Sequence, residues 1–181
     1  MSKNTSESDS LMDINNNPYG LLKSYMKNAK IKSKAYSYSE KYYRNLYKYL
    51  SYPLVVITAT NTVLSGFSLN PYILMGLSFS SLVLIGFDKL INPKDKEHKA
   101  NQIQSEFGEI NRNIKQFVSE NNKSRDEIKS YSQTINEVIN IWESLSPPIQ
   151  DKFITKAQND YAKKIRKHHH MNSQHNIDIK T

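Results

Sequence analysis

The most prominent pattern in the chain is a long stretch without charge. Residues 49–87 contain no Asp, Glu, Lys or Arg, although 23% of the 181 residues are charged. The Asn70–Pro71 pair divides this stretch, because Asn-Pro marks a turn and the residue before a proline avoids helical angles. The pattern predicts two apolar helices of about 20 residues, over 50–69 and 71–91, each long enough to cross about 30 Å of hydrocarbon. Together they are expected to form a transmembrane hairpin over 49–91.

A soluble helical hairpin, buried inside a globular domain, is the alternative to a transmembrane one. A helix at the edge of a soluble core carries a polar face. Residues 73–87 offer only serines as polar side chains. Length and composition therefore favour the membrane.

The distribution of basic residues predicts how the hairpin lies in the membrane. Lysines and arginines precede the first apolar helix and follow the second, and the connection around Asn70 has none. The positive-inside rule then predicts a multi-pass membrane protein with both termini in the cytosol and the Asn70–Pro71 turn across the bilayer. Tyrosines near the predicted membrane surfaces are candidate interfacial anchors, as in an aromatic belt. These are Tyr42, Tyr43, Tyr47, Tyr49, Tyr52 and Tyr72.

Small polar side chains recur at helical spacing inside both apolar segments. They form a candidate polar stripe, which comprises Thr58, Asn61, Thr62, Ser65, Ser78 and Ser81. In one interpretation the stripe binds the two helices together through hydrogen bonds and close packing. In the other, several hairpins assemble and the stripe lines a water-filled path, since a single hairpin cannot enclose a pore. Packing is the commoner role of such residues and is favoured.

The remaining residues predict further helices, so the expected fold is all-α, with long cytosolic helices in a bundle or coiled coil. The predicted segments are a disordered tail over 1–17, a basic amphipathic helix over 18–48, a heptad segment over 92–146, an amphipathic helix over 147–167 and a disordered tail over 168–181. Apolar residues at alternating spacings of three and four form a candidate seam in the heptad segment. The seam includes Ile103, Phe107, Ile110, Ile114, Phe117, Ile128, Ile135, Val138 and Trp142. Two questions stay open: whether 100–145 is one helix or folds back at 121–124, and whether the seam packs within the chain or in a homo-oligomer.

The chain carries a formal net charge of +8, and lysine and tyrosine alternate before the first apolar helix. Such interleaving also occurs in proteins that bind single-stranded nucleic acid. Here the basic segment adjoins a predicted membrane helix, which favours contact with anionic lipid headgroups. The expected partner is therefore the lipid bilayer, and we expect no nucleic acid partner.

Residues that carry out chemistry are scarce in the sequence. There is no cysteine, and the five glycines form no phosphate-binding loop. His168, His169, His170 and His175 lie in a predicted disordered tail, where no metal geometry is preformed. We expect no enzyme activity, no cofactor and no metal site.

The residues that follow the second apolar helix resemble a known family. Asp88-Lys89-Leu90 is followed by Pro93, and then by His98, Ala100 and Phe107 in the pattern His-x-Ala-x6-Phe. Over roughly residues 20–145 the arrangement resembles the SLATT family, two-span membrane modules associated with nucleotide-sensing conflict systems and found in large DNA viruses. The resemblance implies an oligomeric, pore-forming or membrane-perturbing effector that is regulated through its cytosolic helices. The alternative function is a structural hairpin that shapes a host or viral membrane, or anchors partners through its helical body.

Overall fold

A computed structural model of the chain is all-α, as the sequence predicts. It describes residues 17–67, 70–120 and 123–178. The described residues form five helices: α1 (Pro18–Leu64), α2 (Pro71–Ile91), α3 (Pro93–Ser119), α4 (Arg125–Leu145) and α5 (Asp151–Asp178). They belong to two compact units, to which α1 and α3 both contribute. Unit 1 comprises Met1–Ser37 and Gln102–Thr181, and unit 2 comprises Tyr38–Asn101.

The 47-residue helix α1 joins two segments that the sequence analysis separated. The basic helix over 18–48 continues without a break into the first apolar helix. Pro53 therefore lies in the interior of α1 and not in the first turn of a separate helix. The helix ends at Leu64, and the expected end at residue 69 is wrong. The backbone N–H groups of Gly66 and Phe67 donate to carbonyls three residues earlier, at 3.2 and 3.1 Å. Such 3₁₀-type hydrogen bonds tighten and close the last turn of a helix.

The limits of α2 are set by two asparagines and two prolines. The Asn70 side chain accepts a hydrogen bond from the N–H of Tyr72 at 3.0 Å, and Pro71 occupies the first turn, where an N–H would have no helical partner. At the other end Asn92 adopts a left-handed conformation with φ 46°, and Pro93 starts α3. Asparagine tolerates this conformation better than most residues, which allows it to end α2 directly before Pro93.

The heptad segment consists of two helices rather than one. The Ser124 hydroxyl accepts from the N–H of Glu127 at 3.2 Å, and the Glu127 carboxylate accepts from the N–H of Ser124 at 2.9 Å. This reciprocal capping box starts α4 and satisfies two N–H groups that a helix terminus leaves unpaired. The helical spacing of apolar residues stays in register across residues 117–128, but the chain there belongs to two helices and not to one.

Unit 1 has a packed core to which α1, α3, α4 and α5 all contribute. Phe107 lies in it at 1% exposure, with its ring stacked on Tyr36 at a centroid distance of 6.1 Å. The Tyr36 hydroxyl donates to the Pro147 carbonyl at 3.3 Å, and burial raises the pKa of Tyr36. The buried side chains of unit 1 are Leu22, Ala29, Ala35, Tyr36, Ile103, Phe107, Ile110, Ile114, Ile128, Ser132, Ile135, Ile139, Phe153 and Ala157.

The apolar seam of the sequence analysis corresponds only in part to this core. Ile103, Phe107, Ile110, Ile114, Ile128 and Ile135 are buried, whereas Phe117, Val138 and Trp142 are half-buried. In α4 the buried face includes Ser132 and Ile139, which the sequence analysis missed. Ser132 is tolerated there because its hydroxyl donates to the Lys129 carbonyl at 2.8 Å, within its own helix.

The C-terminal segment differs from the expectation at both ends. Pro147 and Pro148 precede α5, which begins at Asp151, and Ser146 caps the end of α4 instead of starting a new helix. The disordered tail was predicted from residue 168, whereas α5 continues to Asp178 in the structure. No glycine or proline follows Pro148, so no helix-breaking residue ends α5 earlier. Of the predicted N-terminal tail over 1–17, residues 1–16 lie outside the described part of the chain.

Truncating a core isoleucine should destabilise unit 1 much more than truncating a surface isoleucine. Ile114 is 0% exposed and Ile141 is 55% exposed. We expect Ile114→Ala to lower the free energy of unfolding by about 2–5 kcal/mol, because it leaves a cavity, and Ile141→Ala to change it by less than about 0.5 kcal/mol. Denaturant unfolding in detergent, followed by circular dichroism, measures both values. Equal effects would show that the assignment of the core is wrong.

Candidate membrane interface

The apolar surface of α2 is exposed along its whole length. The helical stretch Pro71–Ser119 contains the one helix, among the described residues, that is long and apolar enough to cross a membrane. None of its apolar window is buried in the protein, whereas the core helix of a soluble protein would be mostly buried. Met75, Phe79 and Leu82 are among the exposed side chains. A continuous apolar surface of this kind marks a membrane or protein interaction site.

The apolar end of α1 is shorter and more polar than α2. Its segment from Leu50 to Leu64 covers about 22 Å at 1.5 Å per residue, against about 30 Å of hydrocarbon in a bilayer. Three threonines and Asn61 interrupt it, although Val55, Val56 and Val63 are exposed. By length and composition alone, the apolar end of α1 is therefore a weaker candidate for a membrane helix than α2.

Within unit 2, half-buried residues recur every three or four positions along both apolar segments. This spacing puts each set on one face of its helix, as expected where two helices pack lengthwise. The half-buried positions are Ser51, Leu54, Ile57, Asn61 and Leu64 in α1, and Leu74, Leu77, Ser81, Leu84, Asp88 and Ile91 in α2.

A hydrogen bond joins the half-buried face of α1 to Ser78, an exposed residue next to the half-buried face of α2. The Asn61 amide Nδ2 donates to the Ser78 Oγ at 3.1 Å. Both residues belong to the polar stripe that the sequence analysis singled out. An amide in an apolar environment is costly without a partner, and here Ser78 supplies one.

The other residues of the stripe bond to their own helix. The hydroxyls of Thr58 and Thr62 donate to the carbonyls four residues earlier, at 2.7 and 2.9 Å. Ser65 donates three residues back at 2.7 Å, and Ser81 four residues back at 3.1 Å. Thr58, Thr62 and Ser65 are exposed, so the structure brings together one pair of the stripe and leaves these three on the surface of α1.

The tyrosines of unit 2 flank the apolar segments. Tyr42, Tyr49, Tyr52 and Tyr72 are exposed, whereas Tyr43 and Tyr47 are half-buried. The Lys96 ammonium lies 5.7 Å from the centre of the Tyr43 ring, within cation–π range. Burial raises the pKa of Tyr43.

An ion-pair cluster links α1 to the start of α3 in unit 2. Arg44 Nε donates to Glu97 Oε1 at 2.9 Å, and the guanidinium also pairs with Glu40, which is 8% exposed. The hydrogen bond to Glu97 raises the pKa of Arg44. The sequence analysis missed this cluster. The four-residue spacing of Glu40 and Arg44 was a signal for one of its pairs, but no sequence pattern indicates Glu97.

Asp88 lies at the end of the half-buried face of α2. Its Oδ1 is buried, and no described residue hydrogen-bonds to it. A carboxylate in the last turn of a helix is disfavoured by the helix dipole.

No protein-family model, curated protein or solved structure matches the chain. The resemblance to the SLATT family therefore stays a prediction from the sequence. The side chains of His168, His169, His170 and His175 lie outside the described part of the chain.

The Asn61–Ser78 hydrogen bond should appear as a coupling energy between the two residues. We expect a double-mutant cycle of Asn61→Ala and Ser78→Ala, measured by unfolding in detergent, to give about 0.6–1.7 kcal/mol. The matched cycle of Thr62→Ala and Ser78→Ala should give nearly zero, because Thr62 bonds to its own helix. Equal coupling in the two cycles would contradict the pairing.

Proposed function

We propose that the apolar end of α1 and the whole of α2 insert together into a bilayer as a helical hairpin. The chain is then a multi-pass membrane protein with both termini in the cytosol, and the hairpin anchors its helical unit 1 to the membrane. The observation that carries this proposal is the exposed apolar surface of α2, none of which is buried in the protein. Exposing such a surface to water costs about 25 cal/mol per Å², and lipid removes that cost.

Pairing with α2 lowers the free-energy cost of inserting the shorter and more polar segment of α1. The most costly polar group in that segment is the Asn61 amide, and its bond to Ser78 at 3.1 Å offsets part of the cost. The hydroxyls of Thr58, Thr62 and Ser65 are satisfied by backbone carbonyls, as buried hydroxyls in membrane helices require. Local thinning of the bilayer accommodates a short apolar segment at modest cost.

The residues around the hairpin suit the membrane surface. Tyr49 and Tyr52 are exposed at one end of the apolar segments and Tyr72 at the other. Tyrosine is enriched at both membrane–water interfaces, and lysines on the cytosolic side bind anionic headgroups.

The geometry supports an anchoring role better than a pore. The partner of Asn61 belongs to the same chain, and the stripe hydroxyls bond to their own helix. These groups therefore need neither pore water nor a second copy of the chain. This supports the interpretation of the stripe as packing between two helices.

An oligomeric membrane effector of the SLATT type is the second candidate. One observation favours it: Thr58, Thr62 and Ser65 are exposed along one face of α1. If several copies assemble with these faces toward a common axis, the hydroxyls line a path for water and ions.

Insertion can be tested with two leucines that are equally exposed in the structure. Leu82 in α2 and Leu145 in α4 are each 66% exposed. We expect Leu82→Lys to weaken insertion severely, because a lysine near the bilayer centre costs about 2.5–3.5 kcal/mol. Leu145→Lys should leave insertion unchanged. Alkaline extraction of vesicles after co-translational insertion measures the membrane-bound fraction, and equal fractions for the two variants would contradict a membrane-embedded α2.

Leakage from liposomes separates the anchor from the pore. As an anchor, the reconstituted protein should release no entrapped dye, and Thr58→Val should change nothing. A pore would release dye, and Thr58→Val would reduce the release, whereas the control Thr134→Val would not. Thr134 is a suitable control because it is exposed on α4 and its hydroxyl also donates four residues back, at 3.2 Å. Dye release that Thr58→Val lowers and Thr134→Val does not would overturn the anchor in favour of the pore.

A further inference from the structure

Helix α4 carries a second, largely apolar face in addition to the face that is buried in unit 1. Its residues recur at alternating spacings of three and four, which is the heptad spacing of helices that pack lengthwise. We call this face the outer seam; it comprises Tyr131, Thr134, Val138, Ile141 and Leu145. We propose that the outer seam pairs with the outer seam of a second copy of the chain. The proposal goes beyond the membrane anchor and does not depend on the insertion of α2.

The buried face and the outer seam of α4 are distinct. The buried face consists of Ile128, Ser132, Ile135 and Ile139. At 3.6 residues per turn, the outer seam lies roughly 110° around the helix from this buried face. The candidate seam of the sequence analysis combined the two faces, because it included both Ile135 and Val138. One face packs within the chain, and the other is left for a different contact.

The outer seam is open along the C-terminal half of α4. Ile141 is 55% exposed and Leu145 is 66% exposed. At the other end of the seam, the Tyr131 ring stacks on Phe117 at a centroid distance of 3.9 Å, which holds that end against α3. Trp142 is half-buried between the two faces. Single exposed apolar residues are normal, but a row of them beside an aromatic side chain is typical of protein interfaces.

The charges around the outer seam favour a second copy as its partner. Between Ser130 and Gln150 the charged residues are Glu137 and Glu143, and Glu143 pairs with Lys32 of α1. A face without lysine or arginine does not attract anionic lipid or nucleic acid, and a face with so little charge does not select a highly charged helix. It fits another apolar helical face of the same kind, which an identical copy provides. Repulsion between two exposed carboxylates such as Glu137 is less than about 1 kcal/mol in water.

The size of the outer seam predicts a weak dimer. Five side chains bury less than the about 800 Å² per partner of a standard protein interface. Pairing removes apolar surface from water at about 25 cal/mol per Å², and the lost translational and rotational freedom opposes this gain. We therefore expect a Kd of about 10 μM, with a monomer well below that concentration.

Sedimentation equilibrium of the full-length protein in detergent tests the dimer. With micelles in excess over protein, the wild type should change from monomer to dimer as its concentration rises through about 10 μM. Ile141→Lys should raise Kd at least about tenfold, because it puts an ammonium group into an apolar interface. The control Ile165→Lys makes the same change on α5, at an isoleucine that is 41% exposed, and should alter Kd less than about threefold.

Three results of this experiment would overturn the proposal. The first is a wild type that stays monomeric at every concentration. The second is an Ile141→Lys variant that dimerises like the wild type, and the third is equal weakening by Ile141→Lys and Ile165→Lys.

Disulfide cross-linking locates the contact without a destabilising substitution. The chain has no cysteine, and Val138 is the middle residue of the outer seam, where two copies meet in either helix direction. Val138→Cys should form cross-linked dimers on mild oxidation, since Cα atoms within about 7 Å can be bridged. Gln133→Cys, exposed on another side of α4, should stay monomeric. Cross-linking of both variants to the same extent, or of neither, would contradict pairing through the outer seam.

Two variants of the insertion test separate the dimer from the anchor. Leu145→Lys should insert normally and be monomeric, whereas Leu82→Lys should fail to insert and still dimerise in detergent. Failure of the anchor and failure of the dimer are therefore distinguishable. A monomeric wild type whose binding to vesicles is lowered by Leu145→Lys would overturn the proposal and identify lipid as the occupant of the seam.

Discussion

The exposed apolar side chains of α2 are the constraint on which the architecture of unit 2 depends. In α2 no residue is buried, although most side chains from Ile73 to Phe87 are apolar. Exposing such a surface to water has a cost that rises with area, and lipid removes this cost without a protein partner. Helices suit this environment, because each satisfies its backbone hydrogen bonds within itself. Under the proposed insertion, the absence of charge from residues 49–87 and the tyrosines at the ends follow from the same requirement.

Polar groups inside the apolar segments are satisfied at short range. Thr58 and Thr62 donate to carbonyls of their own helix, and the Asn61 amide donates to Ser78 of α2 at 3.1 Å. The stripe thus has two chemically different parts. One holds two helices together, and the other leaves α1 with a mildly polar exposed face. The charged groups lie outside this region, where Arg44 pairs with Glu40 and Glu97.

Local signals predicted much of this architecture, whereas contacts between distant residues were harder to predict. The turn at Asn70–Pro71 and the start of α2 follow from backbone chemistry in two residues. The boundary between α3 and α4 depends on a capping box at Ser124 and Glu127, a local signal that the continuous apolar phase obscured. The polar stripe predicted hydrogen bonds between the two helices, but spacing alone did not distinguish Ser78 from Ser81 as the partner of Asn61. The contact between Arg44 and Glu97 depends on how α1 and α3 pack, which no local pattern encodes.

The central claim is that the hairpin crosses the bilayer, and single-cysteine labelling tests it most directly. The chain has no cysteine, so each introduced thiol reports one position. Tyr72, at the start of α2, and Gln133, on α4, are both exposed in the structure. In sealed vesicles of defined orientation, a membrane-impermeant maleimide should label Tyr72→Cys and Gln133→Cys from opposite sides. Labelling of both positions from the same side of intact vesicles would contradict the account.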